Sequence, residues 1–518
     1  MAGTFGISDG VTGLTVAIGP LLGGMLTAPS GRLSEVVDAA PPAQQHIVAT
    51  AANQELVDGL QVVLTTGGTI AIVGGIVGFL LVRGRDLHPS PTLHATTRRG
   101  EPVTRYLFYT APGSGHVYPL IPTMQELRRR GHDVTARTEP SFVDILARLG
   151  MPAAPIDPNI ERRVDDTWQA RTPIGALRRS VSICVDRAEH EIADVRRALA
   201  ADQPDVVVVD NNCWGAAAAA QASGLPWAQA ACFLLPLVTP DAPPFGLGLR
   251  PARSSLGRAR DAVVRRSAMP LFDRSLAPAN RMRASLGLAP VRHVPEMYMQ
   301  APLVLSYTAE PLEYPRTQLP PSVRLVGPGV WDPDPDADEA GWLSELRRPV
   351  ILVTISTIFQ DDAKLINTAL EALAGEPYDV VVTTASLDPD SFTRPANATL
   401  RRFVPHSQVI SRAAAVVCHG GMGITQKALL GGVPVCVVPF GRDQLEVARR
   451  VVEAGAGTRL PAPRLTARRL RDAVRAAVAR KDQAEAVAAR LRAAGGAAAA
   501  ATALERLAAD RLANAAGH

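Results

Sequence analysis

With 518 residues, the chain is too long for one ordinary domain and long enough for two α/β domains plus an additional segment. Its 54 Lys and Arg outnumber its 49 Asp and Glu, giving a net charge of +5. The arginines are scattered, with no basic stripe laced with aromatics of the kind that nucleic-acid binding uses. The five cysteines stand singly in apolar, strand-like contexts; this excludes a disulfide framework and a paired-cysteine metal site and fits a reducing compartment.

Two uncharged runs come first, residues 10–31 and 60–82, and the second, LQVVLTTGGTIAIVGGIVGFLLV, is long enough to cross a bilayer as a helix. Arg83, Arg85, Arg98 and Arg99 come after it, whereas the segment between the runs carries Glu35, Asp38, Glu55 and Asp58. A hairpin of two spans would therefore keep both its ends in the cytosol. Its glycines, Gly67-Gly68 and Gly74-Gly75 with Gly78, suit packing between membrane helices; the alternative is a pair of core helices in a soluble domain. Residues 1–100 are thus read as a hydrophobic extension that ends in a linker rich in Pro, Thr and Arg, with membrane association through residues 10–82.

A new domain is expected over 101–310. Tyr106 to Thr110 predicts a strand, and Leu120, Met124 and Leu127 mark one helix face that stops at Gly131. Asp133 to Thr138 completes a β-α-β unit. Further strands are predicted at Val206–Val209, Trp227–Phe233 and Leu303–Tyr307. Residues 311–345 read as an irregular linker, and their Asp-Pro-Asp-Pro-Asp run reads as a solvated spacer, with a divalent-metal site as the alternative. The second domain, 346–518, has predicted strands at Val350–Ile355, Val380–Thr383, Leu400–Val404 and Ala413–Val417, and ends in an Ala- and Arg-rich helical tail.

Chemistry concentrates in the stretch from Cys418 to Gln444. A strand runs into His419-Gly420-Gly421-Met422-Gly423 and then a helix, so glycine backbone and unpaired helix N–H groups can approach an anion such as a phosphate. A second buried strand, Val433 to Phe440, ends in Gly441-Arg442-Asp443-Gln444 at the carboxyl edge of a parallel sheet, where ligands of open α/β folds bind. In the first domain, Gly113-Ser114-Gly115-His116 places a histidine at the end of the first strand. Asp210 ends the strand VVVVD; its alternative is a carboxylate that caps the next turn or helix.

His-Gly-Gly-Met-Gly, then Gly-Val-Pro, then Asp-Gln resembles the nucleotide-sugar signature of family 1 glycosyltransferases, and Gly-Ser-Gly-His-Val-Tyr-Pro with RRRGHDVT after it resembles their first-domain motif. The resemblance implies a GT-B architecture, two Rossmann-like domains facing a cleft, and an inverting, metal-independent transfer of a hexose from a nucleotide diphosphate sugar to a hydroxyl of a small apolar acceptor. His116 would be the base and Asp210 its partner, because a histidine near its ordinary pKa takes a proton best when a carboxylate fixes its tautomer. The donor would be held by Thr357, Phe403 against the base, the Val404 backbone, His419, the N–H groups of Gly421, Met422 and Gly423, and Asp443 with Gln444 on the sugar hydroxyls. The acceptor would meet Asn211, Trp214, Phe233 and Phe245. No cofactor, metal or nucleic-acid partner is expected.

The chain departs from the family's pattern at Lys427, where a ribose-binding glutamate is usual. An ammonium only donates hydrogen bonds, so it would approach a phosphate or turn to solvent, which leaves a deoxythymidine-linked sugar open as donor. Segments of the hydrophobic extension also resemble fragments of major-facilitator drug exporters. These departures leave two alternatives to the enzyme: a catalytically silent auxiliary protein of the same fold, and a transport-associated membrane protein.

Overall fold

The computed structural model describes residues 103–516 except 164, 171, 334–340, 358–359 and 361. The hydrophobic extension with its proposed hairpin, and most of the Asp-Pro run, lie outside the described residues. Among the described residues, no helix is long and apolar enough to cross a membrane.

Two parallel sheets organise the chain. The first contains β1 (Arg105–Tyr109), β2 (Asp133–Thr138), β3 (Ala153–Pro155), β4 (Val206–Asp210), β5 (Trp227–Ala231), β6 (Leu303–Ser306) and β7 (Val323–Leu325) in the order β3-β2-β1-β4-β5-β6-β7. The second contains β8 (Val350–Thr354), β9 (Asp379–Thr383), β10 (Ala398–Arg401), β11 (Ala413–Cys418), β12 (Val435–Val437) and β13 (Gly457–Arg459) in the order β10-β9-β8-β11-β12-β13. In each sheet the winding direction reverses between two neighbouring strands, β1 beside β4 and β8 beside β11. A crevice opens at the carboxyl ends of such strand pairs.

The near-continuous apolar runs result from burial on both faces. Along β1, Leu107 and Tyr109 enter one core cluster while Tyr106 and Phe108 enter the other; along β11, Val416 and Cys418 lie opposite Ala415 and Val417. The five cysteines are buried free thiols in these cores.

Two expected boundaries shift. β7 lies inside the segment read as a linker, because Val323 pairs with Val304 and fills the first core. The last helix, Gly496–Ala516, does not belong with the second domain: its Ala500, Ala501 and Leu504 pack in the core of the first sheet. Gly495 permits the change of direction at φ +93, and the returning helix is fixed by Arg130 and His132, whose Nη1 and Nε2 meet Glu505 at 2.7 and 3.0 Å. His132, in the RRRGHDVT turn, is thus structural.

Candidate active site

Both switch points open on one cleft of about 940 Å³, lined by residues of the two sheets' connecting loops. On its first lip, the chain leaves β1 through Gly113, at φ +107, into the short helix Ser114–Val117, which carries His116. Asp210 ends the neighbouring strand β4, so adjacent parallel strands bring residues 94 positions apart into contact. The Nδ1 of His116 lies 2.9 Å from Oδ2 of the fully buried Asp210. The other carboxylate oxygen accepts from the Asn212 N–H at 2.8 Å, so the aspartate both orients the imidazole and caps its own turn. Burial depresses the His116 pKa, but the charge and hydrogen bond of Asp210 overcome this, and the net shift is upward from 6.5. The remaining ring nitrogen, Nε2, faces the cleft with the Asn212 side-chain amide 3.4 Å away.

On the opposite lip, β11 ends at Cys418 and the chain turns through His419 and Gly420, at φ +96, where any Cβ would come within 2.8 Å of Val437. Gly421 is the N-cap of the helix Met422–Leu430, and no side chain caps that first turn. Its N–H groups and dipole are therefore directed at the cleft, which Gly421, Met422 and Gly423 line. A Cβ on Gly421 would lie 2.4 Å from Nε2 of His419, so this turn closes over the imidazole only with glycine there. Burial pushes the pKa of His419 down to about 4, with Arg442 adding to the depression against Asp362, and the ring is neutral at pH 7. Thr357, past the end of β8, reaches Ser114 of the first lip at 3.3 Å.

Asp443 faces the cleft, and burial raises its carboxyl pKa against the opposing charges of Arg442 and His116. Gln444 does not face it. Its Oε1 accepts from the N–H groups of Phe440 and Gly441 at 2.8 and 3.1 Å, and its Nε2 donates to Gln360 at 2.6 Å, so this buried amide shapes the strand end instead of meeting a ligand. The expected acceptor contacts separate in the same way. Phe233 and Phe245 line the cleft, whereas Trp214 is buried in the core and packs edge-on against Tyr298. Asn211 donates to the Tyr298 carbonyl at 3.4 Å, so both residues support the cleft wall from behind. Phe403 is 45% exposed at the cleft, while the Val404 side chain is in the second core.

Lys427 turns neither to a phosphate nor to solvent. Its ammonium pairs with the carboxylate of Asp332 and donates to the Trp331 carbonyl at 3.2 Å. Asp332 also accepts from the Ser407 N–H at 3.0 Å, and the pair lines the cleft beside His406, whose pKa is pushed down to about 4 by burial and by Lys427. Asp332, Asn212 and Arg442 carry no role of their own in the sequence reading. Arg442, at φ +54, crosses the cleft to Asp165 at 3.1 Å and Thr167 at 3.3 Å. Its place in Gly-Arg-Asp-Gln was a usable signal, as was that of Asn212 two residues after Asp210. Among the described residues, no cluster of His, Cys, Asp and Glu has a metal-holding arrangement.

Behind the first lip, buried Glu191 accepts from the N–H groups of Gly215 and Ala216 at 2.9 and 3.2 Å. Burial pushes its pKa up to about 7, opposed by those N–H groups and Arg187. A carboxyl pKa raised on folding stabilises the protein below the unfolded value and loses that contribution as pH climbs to the folded one. Stability should therefore fall by about 3 kcal/mol between pH 4.5 and 7 through this group. Glu191→Gln mimics the protonated form and should flatten that slope, as urea titrations from pH 5 to 8 will measure.

Two facing parallel sheets, with the carboxyl ends of their switch strands around one cleft, define a glycosyltransferase fold of the GT-B type. The solved glycotransferase of kitacinnamycin is similar over 78% of this chain and 99% of its own, with a TM-score of 0.60 and 22% identity. Glycosyltransferase VinC in complex with DTDP is similar over 78% and 100%, with a TM-score of 0.58 and 24% identity. In sequence, 4′-demethylrebeccamycin synthase of Lentzea aerocolonigenes is 34% identical over 387 residues, 72% of this chain and 91% of that protein. A family model described as erythromycin biosynthesis protein CIII-like, C-terminal domain, matches residues 367–506. The chain belongs to the family 1 glycosyltransferases of the antibiotic natural-product type, enzymes that move a sugar from a nucleotide sugar.

Proposed function

We propose that the chain transfers a hexose, with inversion and without metal, from a nucleotide diphosphate sugar to a hydroxyl of a small apolar molecule. The observation that carries this reading is the His116–Asp210 pair facing an uncapped helix N-terminus across one cleft. The acceptor hydroxyl gives its proton to Nε2 of His116 as its oxygen bonds to the anomeric carbon. The bond from that carbon to the diphosphate oxygen breaks on the opposite face. Asp210 keeps the Nδ1 proton in place and stabilises the imidazolium that forms. Negative charge develops on the departing diphosphate, where the N–H groups of Gly421 to Gly423 and the helix dipole receive it. His419, being neutral, contributes a hydrogen bond and no formal charge.

Asp443 stands opposite His116 and is the carboxylate for a sugar hydroxyl, with Thr357 at the phosphates and Phe403 against the base. Asp332, not the residue at position 427, offers a carboxylate to a nucleoside hydroxyl. The DTDP bound to VinC makes a deoxythymidine donor the first to try. Apolar side chains of Phe233, Leu237, Phe245, Met269, Phe272 and Tyr298 on the other flank fit an aromatic or polyketide-like acceptor.

The test is turnover of dTDP-α-glucose and UDP-α-glucose with 4-methylumbelliferone as a probe acceptor, with and without EDTA. A β-glycoside formed equally well in EDTA is expected. An α-linked product would overturn inversion, and loss of activity in EDTA would overturn metal independence.

A further inference from the structure

The acceptor flank of the cleft is held from the wrong side. Phe245 and Leu247 line it, and they belong to the first domain by sequence, yet their backbone is fastened to the second domain's helix Gln444–Glu453. Oε1 of Glu446 accepts from the N–H groups of Gly246 at 2.8 Å and Gly248 at 2.7 Å. Both glycines have positive φ, +102 and +56, and a Cβ on Gly248 would lie 2.4 Å from the Leu445 carbonyl oxygen, so the loop rests directly on the helix backbone. The Gly248 carbonyl in turn accepts from Arg449 at 3.1 Å.

Glu446 is 1% exposed and is not an isolated charge. Its Oε2 takes Arg450 at 2.5 Å; Arg450 stacks over Tyr314 at 4.2 Å and meets Glu313 at 3.5 Å; Glu313 pairs with Arg316 at 3.0 Å. Arg316 then donates to the carbonyl of Leu237 and the hydroxyl of Thr239, at 3.3 and 2.7 Å. A buried relay of alternating charges thus holds both ends of the loop that carries Phe245. In the same first helical turn, Gln444 shapes the donor-side strand end.

We propose that Glu446 is a positioning residue for the acceptor, fixing the 237–248 loop to the donor-side helix so that acceptor fit is set by the second domain. This rests on the reading of Phe245 as an acceptor contact. The test uses the full chain with Glu446→Gln and Gly248→Ala. The first weakens two charge-assisted hydrogen bonds; the second lifts the loop off the helix without touching a buried charge.

Hydrogen exchange over 240–250, read without substrates, should rise in both variants. The KM for 4-methylumbelliferone should rise about 10-fold with the KM for dTDP-glucose nearly unchanged, since each lost bond to a charged group weakens a contact by about that factor. Unchanged exchange in both variants overturns the proposal whether or not the enzyme turns this pair over. Loosened exchange with an unchanged acceptor KM, or with donor and acceptor KM rising together, also overturns it. Failure of the wild type to glycosylate any acceptor would instead count against the proposed function, leaving the exchange result to stand by itself.

Discussion

Replacing His116 by alanine is expected to lower kcat/KM by about 10² to 10⁴-fold, the usual contribution of a positioned general base, with the rise in thermal midpoint that dTDP produces nearly unchanged. The separation of effects comes from position. His116 sits on a four-residue helix at the cleft lip, with Asp210 behind it, while the glycine turn and Phe403 lie on the other lip. Equal activity of the variant and the wild type would remove His116 from the mechanism.

The pH profile carries a second reading of the same pair. Burial alone would hold the imidazole below its ordinary pKa, yet Asp210 reverses the sign, so the ring keeps its proton to a higher pH than an ordinary histidine. The rate therefore falls on the acid side as pH drops through that raised value. Stability runs the other way: the pair's contribution is complete below the unfolded pKa and is lost as pH rises through the folded one. Asp210→Asn removes the charge and leaves the burial, and it should move the acid limb to lower pH while lowering the rate.

The first lip was legible because it depends on features that sequence displays well, namely strand ends and a glycine turn. β1 ends at Tyr109 and β4 at Asp210, and parallel neighbours at a switch point bring their carboxyl ends together, so the loop leaving β1 meets the last residue of β4. The glycine turn after Cys418 was legible for the same reason. Gln444, Trp214 and Asn211 were misplaced because strand-end proximity does not say which way a side chain leaves the backbone. Gln444 turns inward to satisfy Phe440 and Gly441, whose part-buried N–H groups take its side-chain oxygen as acceptor. The helix Gly496–Ala516 was misassigned because its alanine-rich face carries no mark of which core it fills.

Lys427→Glu is expected to destabilise the protein by about 3 to 5 kcal/mol near pH 7.5, although the family resemblance places a glutamate at that position. The side chains of Lys427 and Asp332 are only 12% and 10% exposed, so the substitution would set two carboxylates against each other in a poorly solvated wall. One would be driven to hold a proton, and the penalty should shrink as the pH is lowered and that proton comes at less cost. His406 would soften it slightly, because Lys427 is one of the charges holding that imidazole neutral, and its loss favours the imidazolium beside Asp332. The charge swap Lys427→Glu with Asp332→Lys restores the pair and should recover more than half of the loss in a urea double-mutant cycle. No recovery would mean that the Trp331 carbonyl and Ser407 N–H, which also bond this pair, fix its polarity. Recovery would mean that the two positions can exchange their charges, so that this wall accepts its carboxylate from the helix as well as from the linker.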